Sequence, residues 1–467
     1  MPFIAPHPHP SPTPASVTCS SLHPRPTHLL IPLSRSAIRQ VRDRQGPGTV
    51  ITGTARKARS SDPHDDHLDG IAYRARMRAL HTSDWHLGRG LYGHDLMPAQ
   101  AAFVDHLVDV VRSEGVDVVL IAGDVHDRAI PPVGALELFD EALSRLRDAG
   151  ARVVVISGNH DAARRLGDKA GLLDPRVRIR TDPAAVGDPV VVEDPAGAVR
   201  VYAIPYLEPS AANSQLPEPA QAPSGSDVPA AGIPAATMHR AMHAVRADLA
   251  RYPDARSVVV AHAWVTGGAA SESERDISVG GVGNVPARLF EGITYTALGH
   301  LHRPQAIAPS VRYSGSPLAY SFSESGDAKA SLLVEIGPTG LGNVTRIGVP
   351  ARRRMTLLRG SLADLLTDPA HAPHEADFVS AVLTDPVRPM DAMARLQHRF
   401  PFALRLAHEP ETEPDEILSF GRRTRGRSEL EIAEAFVAHV RSAPSARERA
   451  LLAEALGAAR RAEEEVA

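Results

Sequence analysis

Five short clusters of metal-binding residue types punctuate the sequence: Asp84-Trp85-His86, Gly123-Asp124-Val125-His126-Asp127, Gly158-Asn159-His160-Asp161, Ala261-His262-Ala263 and Gly299-His300-Leu301-His302. Each follows a short apolar run that reads as a strand, at residues 79–82, 116–122, 152–156, 257–261 and 294–298. Loops of this kind can meet only if the strands feeding them end at one edge of the fold, where ligands bind in open α/β sheets. Helix-length stretches at 98–114 and 133–149 alternate with the first strands, and Phe103, Leu107, Val110 and Val111 recur at helical spacing in the first of them. Further strands are predicted at 199–204 and 311–313. The pattern is that of a layered α/β domain.

The residue types in these loops suggest cation binding. On extended backbone, residues two apart point to the same side, so Asp84 with His86, and His300 with His302, can each grip one ion. A carboxylate has two oxygens, which lets Asp124 bridge two ions, and Asn159 offers a neutral amide oxygen. Imidazole, carboxylate and amide together suit Mn²⁺, Fe²⁺ or Zn²⁺ better than an all-oxygen calcium site. A lone Asp-x-His is mostly surface chemistry, and an Asn-His-Asp tripeptide is often a turn. All five clusters in order, each at a strand end, form a signal as specific as a paired Cys-x-x-Cys zinc motif.

Composition removes other classes. The chain has 467 residues, which implies two or three structural units. The single cysteine, Cys19, excludes a disulfide framework or a zinc ribbon. No apolar run reaches the roughly 18 residues needed to span a bilayer, and no secretory or twin-arginine leader opens the chain, so a cytoplasmic location is expected. A formal net charge of −4 argues against a basic DNA-coating protein, though not against a nuclease whose positive charge is carried by bound cations. Lysine occurs only at Lys57, Lys169 and Lys329, and the accompanying arginine excess is read as compositional bias.

Residues 1–76 are Pro-, His- and Ser-rich at the start and show no amphipathic period, so a disordered extension is expected, with Met77 as an alternative initiation site. Residues 208–237 read as a long exposed Pro/Ala-rich loop, and 411–427 as a polar linker. Segments at 362–366, 378–383, 390–400 and 403–407 predict a small α+β unit. Two helices close the chain: Leu430, Ala433, Val437 and Val440 form one face of the first, and the second, at 445–465, carries Leu451, Leu452, Ala455 and Leu456.

The order D-x-H, G-D-x-x-D, G-N-H-D, H and G-H-x-H resembles the calcineurin-like metallophosphoesterase superfamily. The resemblance implies a four-layer β-sandwich flanked by helices, holding two divalent cations that clamp a phosphate ester and lower the pKa of a bound water. Carried over residue by residue, Asp84, His86 and His302 hold metal one, Asn159, His262 and His300 hold metal two, and Asp124 bridges. His160 becomes the transition-state stabiliser or proton donor, oriented by Asp161. Within the superfamily, residues 81–88 (HTSDWHLG), 271–275 (SESER), 279–281 (VGG) and 314–324 (SGSPLAYSFSE) resemble the nuclease subunit of the bacterial SbcCD complex, the SbcD family.

That resemblance implies a nuclease domain at 77–345, a DNA-capping domain at 346–412, and a linker with C-terminal helices at 413–467 that bind the SbcC ATPase. It also implies manganese as the metal, DNA as the substrate and a homodimer within a heterotetramer. The implied activity is double-strand exonuclease and single-strand or hairpin endonuclease in DNA repair, replication and recombination. No Walker A sequence is present, so ATP dependence would come from another chain. Two alternatives stay open: a stand-alone phosphodiesterase for small esters, and a catalytically silent docking scaffold. DNA-end digestion with the ATPase subunit tests the first, and Mn²⁺ uptake tests the second.

Overall fold

In the computed structural model, the described residues are 76–217, 233–275, 284–410 and 426–466. The strands, in chain order, are β1 (Met77–Thr82), β2 (Val118–Ala122), β3 (Arg152–Ile156), β4 (Val177–Arg180), β5 (Val190–Asp194), β6 (Gly197–Ile204), β7 (Arg256–His262) and β8 (Tyr295–Gly299). They continue with β9 (Gln305–Ala308), β10 (Val311–Tyr313), β11 (Ala330–Gly337), β12 (Gly340–Gly348), β13 (Met355–Gly360), β14 (Phe378–Leu383) and β15 (Ala403–His408). One six-stranded sheet has the order β12-β11-β1-β2-β3-β4, and a second has the order β9-β10-β8-β7-β6-β5. In the first, β1 to β4 run parallel and β11 pairs antiparallel with β1; in the second, β6, β7, β8 and β10 run parallel.

The central strands are apolar on both faces because both faces are covered. Val118, Leu120 and Ala122 of β2 point into an inter-sheet core with Val258, Val260 and Ala297 of the other sheet. Val119 and Ile121, between them in sequence, face the helices α1 (Met97–Glu114) and α2 (Val133–Asp148). Tyr202, Ile204, Val259 and Leu298 face the opposite flank, where α3 (Ile233–Leu249) packs. Period-two alternation with no polar face is the signature of a strand buried on both sides. The result is helix, sheet, sheet and helix in four layers, as expected.

α1 closes on Gly115, whose positive φ of 59° accepts the left-handed C-cap. The unit beyond β12 is a separate three-stranded parallel sheet, β13-β14-β15. α4 (Leu362–Thr367) and α5 (Ala392–Arg399) pack on it through Leu362, Leu365 and Leu396. Phe378 of this sheet joins Leu91, Leu96, Tyr320 and Phe322 in an apolar seam against the sandwich. A cavity of about 630 Å³ opens beside that seam, walled by Lys329, Arg353, Phe378 and Phe402 among others. Helices α6 (Glu429–Val440) and α7 (Ala446–Val466) pair with each other, and Arg460 hydrogen-bonds Glu429 at 2.8 Å.

Several expectations need correction. Residues 233–237 belong to α3, with Ala235 and Thr237 fully buried, and Ala212 and Leu216 pack into the same core. The Pro/Ala composition read as loop because Ala carries little periodic signal, and Pro234 stands in the first turn, where its missing N–H costs nothing. Residues 218–232 lie outside the described residues. Strands β4, β5, β9, β11, β12 and β13 were not foreseen; β12 is largely exposed and carries three glycines, which hides the alternation that betrays a strand. The expected extension up to residue 75, Cys19 and the linker at 411–425 also lie outside the described residues. Among the described residues no helix is long and apolar enough to cross a membrane.

Candidate metal centre

All five loops leave the carboxyl ends of parallel strands. Asp84 and His86 follow β1, Asp124 follows β2, Asn159 follows β3, His262 ends β7, and His300 and His302 follow β8. The two sheets meet here through specific bonds. Asp84 N–H donates to Gly123 O at 3.0 Å, and Asp84 Oδ1 accepts from His300 N–H at 3.0 Å across the sandwich. Asp84, His86, Asp124 and His300 all hold positive φ, four of the seven such non-glycine residues in the described chain. Positive φ is costly away from glycine and concentrates at functional sites.

The seven residues singled out in the sequence come together. His262 Nε2 lies 2.9 Å from Asn159 Oδ1, and His300 Nδ1 lies 3.2 Å from the same oxygen. Asp124 Oδ2 sits 3.5 Å from His262 Nε2 and 3.7 Å from His86 Nε2. His86 Nε2 faces His302 Nε2 at 3.0 Å, and Asp84, His86 and His302 offer donor atoms to one point. Asp124 is shared between the His86 side and the His262 side, as a bridging carboxylate requires.

The donor set fits divalent transition metals, on grounds of proton bookkeeping. His262 Nδ1 donates to Ala122 O at 2.9 Å, so in the neutral ring Nε2 carries a lone pair. That lone pair faces the Asn159 carbonyl oxygen and the Asp124 carboxylate with no proton between them. Lone pairs converge in this way where a cation is the missing counterpart. The spacings agree, since donors on a cation with bonds of about 2.1 Å stand roughly 3.0–3.4 Å apart.

Electrostatics point the same way. Burial, then the neighbouring Asp124, drive the Asp84 carboxyl well above its usual range. Burial raises Asp124 to about 7, against the attraction of His160. Burial lowers His262 to about 4 and holds His86 and His300 well below the usual imidazole range. Neutral imidazoles are the form that binds metal, and added positive charge would draw the protons from the two raised carboxyls.

His160 Nδ1 donates to Asp127 O at 2.7 Å, which turns Nε2 inward to within 3.9 Å of Asp124 Oδ2. The expected orientation of His160 by Asp161 is replaced by this carbonyl. Asp161 works on the loops instead: its carboxylate accepts backbone N–H bonds from Val125, His126 and Gly158 at 3.1, 3.0 and 2.9 Å. The reason is local, because adjacent residues in a turn point apart and Asp161 faces the backbone of the Asp124 loop. A Cβ on Gly158 would overlap the Asp124 carboxylate, and one on Gly123 would stand 2.5 Å from His262 Nδ1, so both positions require glycine.

Other residues brace the site. Gln100 Nε2 donates to His86 O at 2.8 Å, and Tyr320 OH donates to Trp85 O. Glu274 Oε1 accepts from His302 N–H at 2.7 Å, and Ser273 Oγ meets His302 Nδ1 at 2.5 Å. Burial would push the Glu324 carboxyl up, but His302 and Lys329 outweigh it and hold it at about 2. The motifs SESER and SFSE marked these residues in the sequence without revealing what they touch.

Comparison with known proteins agrees with this geometry. Residues 77–210 match the Calcineurin-like phosphoesterase family. Residues 351–441 match SbcD_C, the Type 5 capsule protein repressor C-terminal domain family. The chain thus carries a calcineurin-like phosphoesterase domain followed by an SbcD_C domain. Similar solved structures include TT1561 of Thermus thermophilus, at 12% identity and a TM-score of 0.34, covering 59% of this chain and 99% of that one. A dimetal phosphatase from Danio rerio matches at 13% identity and 0.34, covering 58% and 98%. GAP50, the anchor in the inner membrane complex of Plasmodium, matches at 10% and 0.33, covering 73% and 99%. The phosphoesterase domain implies hydrolysis of phosphoesters, and the clustered donors are a candidate metal-binding centre.

Proposed function

We propose that this phosphoesterase is a DNA nuclease subunit that cleaves phosphodiester bonds with two divalent cations, manganese foremost, and works with an SbcC-type ATPase. The observation that carries this reading is the convergence of Asp84, His86, Asp124, Asn159, His262, His300 and His302 with metal-binding donor atoms facing one another. The likeness of residues 351–441 to SbcD_C supports DNA as the substrate within the class of phosphoesters. Asp84, His86 and His302 would hold one cation and Asn159, His262 and His300 the other, with Asp124 placed to serve both. When bound, the pair supplies Lewis-acid activation of water and neutralises charge on the phosphodiester.

His160 supplies the protein's own chemistry. With Nδ1 committed to Asp127 O, its Nε2 is the atom that faces substrate, and a protonated Nε2 hydrogen-bonds a phosphate oxygen or protonates the leaving alkoxide. Asp161 keeps that geometry by bonding the loops on which Asp124 and His160 sit. The three-stranded unit, the proposed cap at 346–412, stands against the sandwich at the seam of Phe378 and Tyr320, where it can orient a duplex end. Helices α6 and α7 leave Phe436, Val440 and Leu451 more than half exposed, a face suited to an ATPase partner.

The test is Mn²⁺-dependent digestion of blocked and hairpin DNA ends by the full chain with and without the ATPase subunit, beside a bis-p-nitrophenyl phosphate assay. The reading expects metal-dependent cleavage of both substrates, with duplex ends requiring the partner. Hydrolysis of the small ester with no action on DNA under any partner condition would instead assign a small-molecule phosphodiesterase.

A further inference from the structure

His302 is held at three points by groups from two other loops. Its backbone N–H donates to Glu274 Oε1 at 2.7 Å, its carbonyl accepts from Lys329 Nζ at 2.8 Å, and its ring Nδ1 meets Ser273 Oγ at 2.5 Å. Ser273 Oγ in turn donates to Glu324 Oε1. Glu324 is 1% exposed, and its second oxygen pairs with the ammonium of Lys329.

One distribution of protons satisfies Glu324, Ser273 and His302 together. Glu324, paired with an ammonium, is an ionised acceptor, so the single Ser273 hydroxyl proton must point at it. Ser273 Oγ then has only lone pairs left for His302 Nδ1, which must therefore carry hydrogen. A neutral ring protonated at Nδ1 presents an Nε2 lone pair, and that lone pair points at His86 Nε2 and the proposed cation site. The reverse arrangement would set the Ser273 lone pairs against the Glu324 carboxylate in a buried space and leave that bond unmade.

We propose that Glu324 is a positioning residue for the metal ligand His302, acting through Ser273 and anchored by Lys329, so that the relay fixes which ring nitrogen meets the cation. The proposal rests on the two-cation reading above and adds residues to it that lie outside the coordinating set. It also gives a use to the SESER and SFSE segments, which supply no metal ligand. A carboxylate that steers a ligating histidine typically contributes 10- to 100-fold in metal affinity.

The direct test is the tautomer of His302 in metal-free protein labelled with 15N-histidine, its signal identified by its loss in His302→Asn. The expected result is Nδ1–H; an Nε2–H ring in the wild-type chain overturns the proposal without any variant having to fold. The second measurement is Mn²⁺ calorimetry on Ser273→Ala and Glu324→Gln. The expected result is a loss of about 10- to 100-fold at one site with the other within a few-fold, and Ser273→Thr restoring affinity. Wild-type affinity at both sites in the folded variants refutes the relay while leaving the two-cation reading intact. A wild-type chain that takes up no Mn²⁺ removes that reading and the proposal with it, even if the tautomer is as expected.

Discussion

At the scale of single residues, the site is a set of groups kept in the protonation states that suit a cation. His262, lowered by burial to about 4, is neutral when folded but takes a proton near 6.5 when unfolded. Its contribution to stability is therefore present above pH 6.5 and lost as pH falls through 4. Asp124 has the opposite sign: raised by burial to about 7 from 3.8, it favours the metal-free fold below pH 3.8 and loses that contribution as pH rises through 7. Cation uptake must displace this proton. Calorimetry at pH 6 in buffers of different ionisation enthalpy should show proton release on Mn²⁺ binding, and the release should shrink as pH rises through 7 and Asp124 ionises, leaving what Asp84 gives up. His160→Ala should keep both metals and lose roughly 10²- to 10⁴-fold in turnover; full activity with both metals bound would remove its proposed role. The ligand types were legible in the sequence because few side chains bind transition metals. The bracing of His302 was not, because serine and glutamate in a glycine- and serine-rich loop have no distinguishing pattern until their partners are known.

At the scale of elements, strand ends do the positioning, and the loops between them are held by side chains rather than by length. Asp161 takes up three backbone donors of the Asp124 and Asn159 loops, so Asp161→Ala should leave them unmade within a largely buried site. We predict a loss of about 3 kcal/mol or more, each unmade buried bond costing about 1–3 kcal/mol. Melting of the metal-free variant checks this, and an unchanged midpoint would deny the loops their dependence on Asp161. Gly158→Ala should act on the same loops by a different route, forcing Asp124 aside, and should weaken Mn²⁺ binding more than it lowers the melting temperature. The central strands were legible because they are apolar on both faces and short. The edge strands β5, β9 and β12 were not, because they are short or half exposed and their apolar content is thin, although each pairs with the strand next to it in sequence. The helical start of α3 was hidden by alanine and proline for the same reason that alanine helps helices everywhere: its small side chain leaves no periodic mark.

At the scale of the whole molecule, a two-sheet sandwich gathers residues more than two hundred positions apart, from Asp84 to His302, onto one edge. The three-stranded unit and the paired helices α6 and α7 are not needed to build that edge. Removing residues from 426 onward should therefore leave Mn²⁺ binding and small-ester hydrolysis near wild type while abolishing co-purification with the ATPase subunit. A truncated chain that still bound the ATPase would move the docking surface elsewhere. The family likeness was readable in the order of motifs, whereas the substrate rests on what the second domain and the terminal helices add. Everything in the account depends on two cations sharing Asp124. Anomalous diffraction from crystals grown with Mn²⁺ measures this most directly. Two peaks are expected roughly 3.5–4 Å apart on either side of the Asp124 carboxylate, one beside His86 and His302 and the other beside His262 and His300; a site with no peak, or with ions bound away from Asp124, would contradict that arrangement.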